Sequence, residues 1–105
     1  MNRESAAPTT RRLYLALYDV VDDRRRRRAF AILEAVGVWT QYSAFVCAIT
    51  PSAMAAAEAR LRATLDESMD RLLIVDLGEE QSARGRFRTI GRASAPAALE
   101  PFLIF

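Results

Sequence analysis

The alternation of apolar and polar positions in the first 40 residues predicts a strand followed by a helix. Leu13–Val20 is apolar at odd and even positions alike, which is typical of a strand covered on both faces. Arg24–Val36 places apolar residues on one stripe at about 100° per residue, the spacing of a half-buried helix. Asp22 and Asp23 are candidate N-caps of this helix, and Gly37 is its candidate C-cap.

The remaining pattern predicts further strands and one more helix. Val38–Ile49 is rich in aromatic and β-branched residues and too long for a typical strand, so we expect two strands bent near Ser43. Ser52–Leu65 is rich in alanine and predicts a helix that can approach a sheet closely. Arg71–Leu77 reads as a strand with two apolar faces, and Phe87–Ile90 as a short strand after a polar loop.

The predicted order β-α-β-β-α-β, with an additional C-terminal strand, indicates an α+β ferredoxin-like domain. Two helices cover one face of such a sheet, so the second apolar face needs a partner. We therefore expect a homodimer with sheets packed face to face. The alternative is that the apolar tail Phe102–Phe105 folds back over this face. The predicted organisation is a flexible N-terminal tail (1–12), the ferredoxin-like domain (13–78), and a C-terminal strand and tail for dimer or partner contact (79–105).

The composition excludes several classes of site. With no histidine, the chain has no Ser-His-Asp or Cys-His catalytic site and no His-rich zinc site. Its one cysteine, Cys47, cannot form an internal disulfide, which favours a reducing, cytoplasmic compartment. The polar N-terminus argues against a secretory signal, and no apolar run reaches the roughly 20 residues of a membrane span, so we expect no membrane partner.

The basic residues fall into two blocks, although the net charge is only +2. Residues 1–28 hold eight arginines against four acids, and residues 84–105 hold four arginines against one acid. All fifteen basic residues are arginine, for which a GC-rich genome is a sufficient cause, but codon usage does not explain the clustering. Arginine binds phosphate through a planar, bidentate fork, so the blocks suggest nucleic acid as partner.

Tyr18 and Asp19 end the first predicted strand, where ligand sites of α/β folds are common. A lone carboxylate in an apolar run is costly unless it is paired or binds a metal. Asp19 is therefore a candidate metal ligand; the alternative is that it caps the following turn or pairs with an arginine.

Five consecutive arginines, Arg24 to Arg28, occupy the first turns of the predicted helix, where positive charge opposes the helix dipole. We interpret Arg24 and Arg27 as solvated, and Arg25, Arg26 and Arg28 as candidate phosphate ligands. A second basic group contains glycines that let a backbone approach phosphate, with an exposed basic loop as the alternative; its arginines are Arg84, Arg86, Arg88 and Arg92.

Taken together, LYLALYDVVDDRRRRRAFAILEAVG, VWTQYSAFVCAIT and RLLIVDLG resemble the CRISPR-associated protein two family, the small ferredoxin-like partner of the integrase in CRISPR spacer acquisition. The resemblance covers about Leu13 to Gly78. It implies a homodimer in which two copies of Asp19 face each other and share one Mg²⁺ or Mn²⁺ per dimer. It also implies catalytic roles for Asp19, for Tyr18 beside it, and for Arg28.

Further site residues follow from the same resemblance. It implies that Arg26 and Arg28 act in nucleic-acid binding or cleavage, and that Ser43 and Phe45 lie near the same cleft. Some family members have a basic residue where this chain has Trp39, so a phosphate-facing cation is lost here. We expect Trp39 to pack in the core instead.

The function that this resemblance implies is that of a CRISPR adaptation protein, either a metal-dependent endonuclease on RNA or DNA phosphodiesters, or the structural partner of the integrase, or both. The alternatives are a non-catalytic duplex-DNA-binding adaptor dimer, a toxin-like RNase of related fold, and a ferredoxin-like RNA-binding module. The last should show stacked aromatics that Tyr42 and Phe45 do not reproduce.

Overall fold

The computed structural model describes residues 10–88, 90 and 91. In chain order its elements are β1 (Arg12–Asp19), α1 (Asp23–Glu34), β2 (Val38–Gln41), β3 (Ala44–Ile49), α2 (Pro51–Thr64), β4 (Arg71–Glu79), the short helix α3 (Glu80–Ala83) and a 3₁₀ turn (Arg84–Arg86). The strands form one antiparallel sheet in the order β2-β3-β1-β4. The predicted α+β ferredoxin-like arrangement is thus confirmed. Across the described residues, no helix is long and apolar enough to cross a membrane.

One face of the sheet carries both long helices and the main core. Tyr14, Ala16 and Tyr18 point to this face because alternate residues of a strand share a side. Phe45 and Cys47 join them from β3 and are fully buried. Val20 joins the cluster from the β1–α1 loop, and the helices contribute Ala29, Ile32 and Leu33 from α1 and Met54, Ala57 and Leu61 from α2.

The second face is covered only at one end. Leu13 and Val46 pack there against Ala83, so the segment predicted as a polar loop instead forms α3. This helix is held by the Glu80 amide, which donates to the Arg11 carbonyl at 3.1 Å, and by burial of Ala83. Towards the other end the face is open, and Leu73 is 51% exposed.

The short strand expected over Phe87–Ile90 is not formed at Phe87, Arg88 or Ile90. A strand needs a neighbour along a sheet edge, and Phe87 instead packs on the cluster around Leu13 and Val46. The tail Phe102–Phe105 and residues 1–9 of the expected N-terminal tail lie outside the described residues.

Gly37 is not the C-cap of α1, and that prediction is wrong. The helix ends at Glu34, and its C-cap is Ala35 in right-handed backbone geometry. Gly37 is needed for close packing on β3 instead, since a Cβ atom there would lie 2.5 Å from the Cys47 Sγ and 2.8 Å from the Val46 carbonyl oxygen.

Candidate nucleic-acid interface

Asp19 lies at the end of β1 on the open second face of the sheet. It shares this face with Leu17 two residues earlier, and its partner across β4 is Arg71. The carboxylate is exposed and makes no hydrogen bond or ion pair with any residue that the structure describes. Neither of the alternatives expected for Asp19, a turn cap or an arginine partner, is therefore seen between 10 and 91.

Tyr18 faces the helices, on the opposite side of the sheet from Asp19. Its ring packs on Phe45 with centroids 6.2 Å apart, and its amide donates to the Ser43 carbonyl at 3.1 Å. Burial raises the pKa of the Tyr18 phenol, and this outweighs the lowering by a side-chain hydrogen bond with Ser43 and by the Arg26 charge. The phenol is therefore protonated at neutral pH. Tyr18, Ser43, Phe45 and Arg26 form one cluster, which the Asp19 carboxylate does not join.

Arg25 is held in an ion pair that the sequence did not reveal. Its Nε donates to the Asp70 carboxylate at 2.7 Å, and the Asp70 side chain is 0% exposed. This carboxylate also accepts hydrogen bonds from the amides of Val21, at 3.0 Å, and Asp66, at 2.9 Å. The Arg25 guanidinium holds the pKa of Asp70 well below its ordinary value. Arg25 thus fixes the loop between β1 and α1.

Arg26 and Arg28 lie on different sides of α1. The Arg26 guanidinium donates to the Val20 carbonyl at 3.0 Å and pairs with Asp23, and part of it remains exposed. Arg28 is exposed and lies about 200° around the helix from Arg26. The structure therefore brings Arg26, but not Arg28, to the Tyr18 cluster.

Arg84, Arg86 and Arg88 lie at the other end of the sheet. Arg86 donates to the Leu77 carbonyl, and the adjacent Gly78 pairs with Leu13 at the start of β1. Asp19 ends the same strand, which extends about 20 Å between the two positions. Within one protomer, this basic group and Asp19 therefore lie at opposite ends of β1. Arg92 is outside the described residues.

Trp39 is not in the core, and that expectation is wrong. The residue lies on β2, an edge strand of the sheet, and is 38% exposed. The indole Nε1 donates to the Tyr42 carbonyl at 2.7 Å. Tyr42 sits in the turn between β2 and β3 with φ of 49° and is 88% exposed. The bend predicted near Ser43 is thus a tight turn that displays an aromatic ring.

Comparison with known proteins identifies relatives along most of the chain. The family model for CRISPR associated protein Cas2 matches residues 12–84. The CRISPR-associated endoribonuclease Cas2 of Thermus thermophilus is 35% identical over 92 residues, which is 87% of this chain and 96% of that protein. The Geobacter sulfurreducens protein of the same name is 28% identical over 92 residues, or 88% and 97% of the two chains. A crystal structure of Streptococcus pyogenes Cas2 superposes with a TM-score of 0.65 at 27% identity, covering 75% of this chain and 99% of that one.

Proposed function

This chain belongs to the Cas2 family of CRISPR-associated proteins, and we propose that it is a homodimeric, metal-dependent endonuclease of CRISPR adaptation. Its substrate is an RNA or DNA phosphodiester, and the integrase of spacer acquisition is its partner. The observation that carries the proposal is the unpaired, exposed Asp19 carboxylate on the open apolar face of the sheet. Relatives named endoribonucleases support the same reaction class.

The donor set fits one divalent cation shared between two copies of Asp19. Within the described part of one chain, no three acidic or cysteine side chains come together as a metal site. Mg²⁺ binds through one or two carboxylates and keeps several waters, so one Asp19 from each protomer is a sufficient protein contribution. When bound, this ion supplies an activated water and stabilises charge on the phosphate.

Among the described residues, neither Cys47 nor Tyr18 is suited to act as the nucleophile, so we assign the side chains the tasks of binding and orienting the substrate. Burial raises the pKa of the Cys47 thiol to about 11, and this residue is fully enclosed. The Tyr18 phenol is protonated at neutral pH and is hydrogen-bonded with the Ser43 side chain. Asp19 therefore acts as a ligand, while Arg26 supplies positive charge at the same end of the sheet.

The test is cleavage of labelled single-stranded RNA and duplex DNA by the purified dimer, with Mg²⁺ or with chelator. We expect metal-dependent cutting that falls at least about 100-fold in Asp19→Asn, because the shared carboxylate pair is lost. Glu79→Gln is the matched control, since it removes an exposed carboxylate at the opposite end of β1. Full cutting by Asp19→Asn would refute the assignment of the site.

A non-catalytic adaptor dimer is the second candidate, favoured by the separation of the two arginine groups along the sheet. Cations about 20 Å apart suit a long duplex backbone better than a single scissile phosphate. We expect Arg86→Gln with Arg88→Gln to weaken duplex binding and to reduce the slope of log K against log salt by about 2. An unchanged slope would show that these side chains do not contact the duplex.

A further inference from the structure

The turn between β2 and β3 presents two aromatic side chains that the proposed reaction does not use. Tyr42 is 88% exposed, more than any other aromatic residue between 10 and 91, and Trp39 is the chain's one tryptophan. The hydrogen bond from the Trp39 indole to the Tyr42 carbonyl fixes the indole against the turn. An aromatic ring held in place beside a second, exposed ring offers a preformed surface on which a planar group can stack.

The backbone at this turn is strained at the exposed tyrosine. Tyr42 adopts φ of 49°, a left-handed conformation that glycine or asparagine adopts at lower cost. Within the described residues, the Tyr42 hydroxyl makes no hydrogen bond and its ring pairs with no other aromatic ring, so neither interaction offsets this strain. Strained residues of this kind concentrate at ligand sites.

Positive charge lies next to the turn. The Ser43 carbonyl accepts from the Tyr18 amide at 3.1 Å, and the Arg26 guanidinium donates at 3.0 Å to the carbonyl of Val20, two residues after Tyr18. An aromatic surface beside a guanidinium group is the combination that binds an unpaired base together with its phosphate.

We infer that Trp39 and Tyr42 form a stacking site for an unpaired base of single-stranded nucleic acid. The inference rests on the proposed function and adds to it a contact with the bases of the bound strand. In a closed duplex the base faces are stacked on their neighbours, so only a strand with unpaired bases can use the rings. The Arg26 guanidinium near the turn attracts this ligand in preference to a neutral protein segment.

The sole tryptophan provides the test. Titration with dT12 and rU12 is expected to quench Trp39 fluorescence through stacking, whereas a blunt duplex is expected to bind without quenching. Tyr42→Gly suits the left-handed backbone and removes the ring, so we expect it to weaken single-strand affinity by about 5- to 30-fold and to leave duplex affinity unchanged. Tyr42→Phe keeps the ring and is expected to retain affinity for the single strand, and Ile90→Ala is a control at another exposed apolar residue.

The outcomes separate this inference from the proposed function. Unquenched Trp39 at saturating single strand, or equal single-strand affinity in Tyr42→Gly, would overturn the stacking site while duplex binding and Asp19-dependent cleavage stand. If Asp19→Asn cuts as well as the wild type while single strands still quench Trp39, the stacking site stands and the nuclease assignment fails. If neither single strand nor duplex binds, both proposals fail.

Discussion

At the scale of single residues, the buried Asp70 carboxylate holds together the segment that follows Asp19. It accepts from Arg25 and from the amides of Val21 and Asp66, so one side chain ties α1, the β1–α1 loop and the segment before β4. A buried carboxylate of this kind is tolerated because each oxygen has partners. The position of Arg25 is therefore set by an ion pair, which makes it less available to phosphate than Arg26.

Asp70→Asn is expected to lower the free energy of unfolding at neutral pH. It should also make this free energy less dependent on pH in the acid range. The Arg25 partner lowers the pKa of Asp70 in the folded state, whereas in the unfolded chain this pKa returns to about 3.9. The unfolded state then binds more protons as the pH falls, so the stabilisation is present above about pH 4 and is lost below it as the pH approaches the folded-state pKa. Thermal unfolding followed by circular dichroism from pH 7 to pH 2 measures this.

Asp76→Asn is the matched control for Asp70→Asn. Asp76 pairs with Arg12 at 3.0 Å, but both side chains are well exposed, so the variant should lose less than about 1 kcal/mol. Parallel stability curves for the wild type and Asp70→Asn across the acid range would contradict the role given to Asp70.

At the scale of elements, close packing of the α1–β2 connection on β3 depends on Gly37. Its missing side chain lets this connection approach Val46 and Cys47, both of which are buried in the middle of the sheet. The connection therefore sets the distance between the helix layer and the strand that carries Phe45. Phe45 in turn supports Tyr18 and Phe30, whose rings lie 6.2 Å and 5.1 Å from its own.

Gly37→Ala is expected to destabilise the fold by about 1–3 kcal/mol, since the new methyl group overlaps the Val46 backbone and the Cys47 sulfur. Chemical unfolding in urea measures the loss. Gly85→Ala is the comparison variant, because a Cβ there meets no atom within 4 Å, and its effect should stay within about 0.5 kcal/mol. Equal effects of both substitutions would show that the Gly37 contact does not matter.

At the scale of the whole molecule, the sheet has two unlike faces. The helices cover one face, and α3 with the 3₁₀ turn covers only the Leu13 end of the other. Leu17 and Leu73 pair across β1 and β4 on the part left open, next to Asp19. An open apolar face of this kind suits contact with a second copy of the chain.

Leu73→Arg is expected to yield a folded monomer, because it places a charge on the open face at a position already 51% exposed in one chain. Sedimentation velocity gives the oligomeric state, and circular dichroism confirms folding. Ala56→Arg adds the same charge on an exposed position of α2 and should leave the dimer intact. A dimeric Leu73→Arg protein would indicate that another surface mediates association.

Local periodicity and turn chemistry were sufficient to predict the order of the elements from β1 to β4, the two-sided apolar strands, the bend near Ser43 and the basic character of α1. The sequence also placed Asp19 at a strand end. The ion pair of Arg25 could not be predicted from local pattern, since Asp70 lies 45 residues from Arg25 along the chain. The same holds for Tyr18 and Asp19, neighbours in sequence that the pleat sends to opposite faces. The exposure of Trp39 and the packing role of Gly37 were also missed by the sequence analysis. A periodic pattern does not show which strand lies at the edge of a sheet, nor which backbone a glycine packs against.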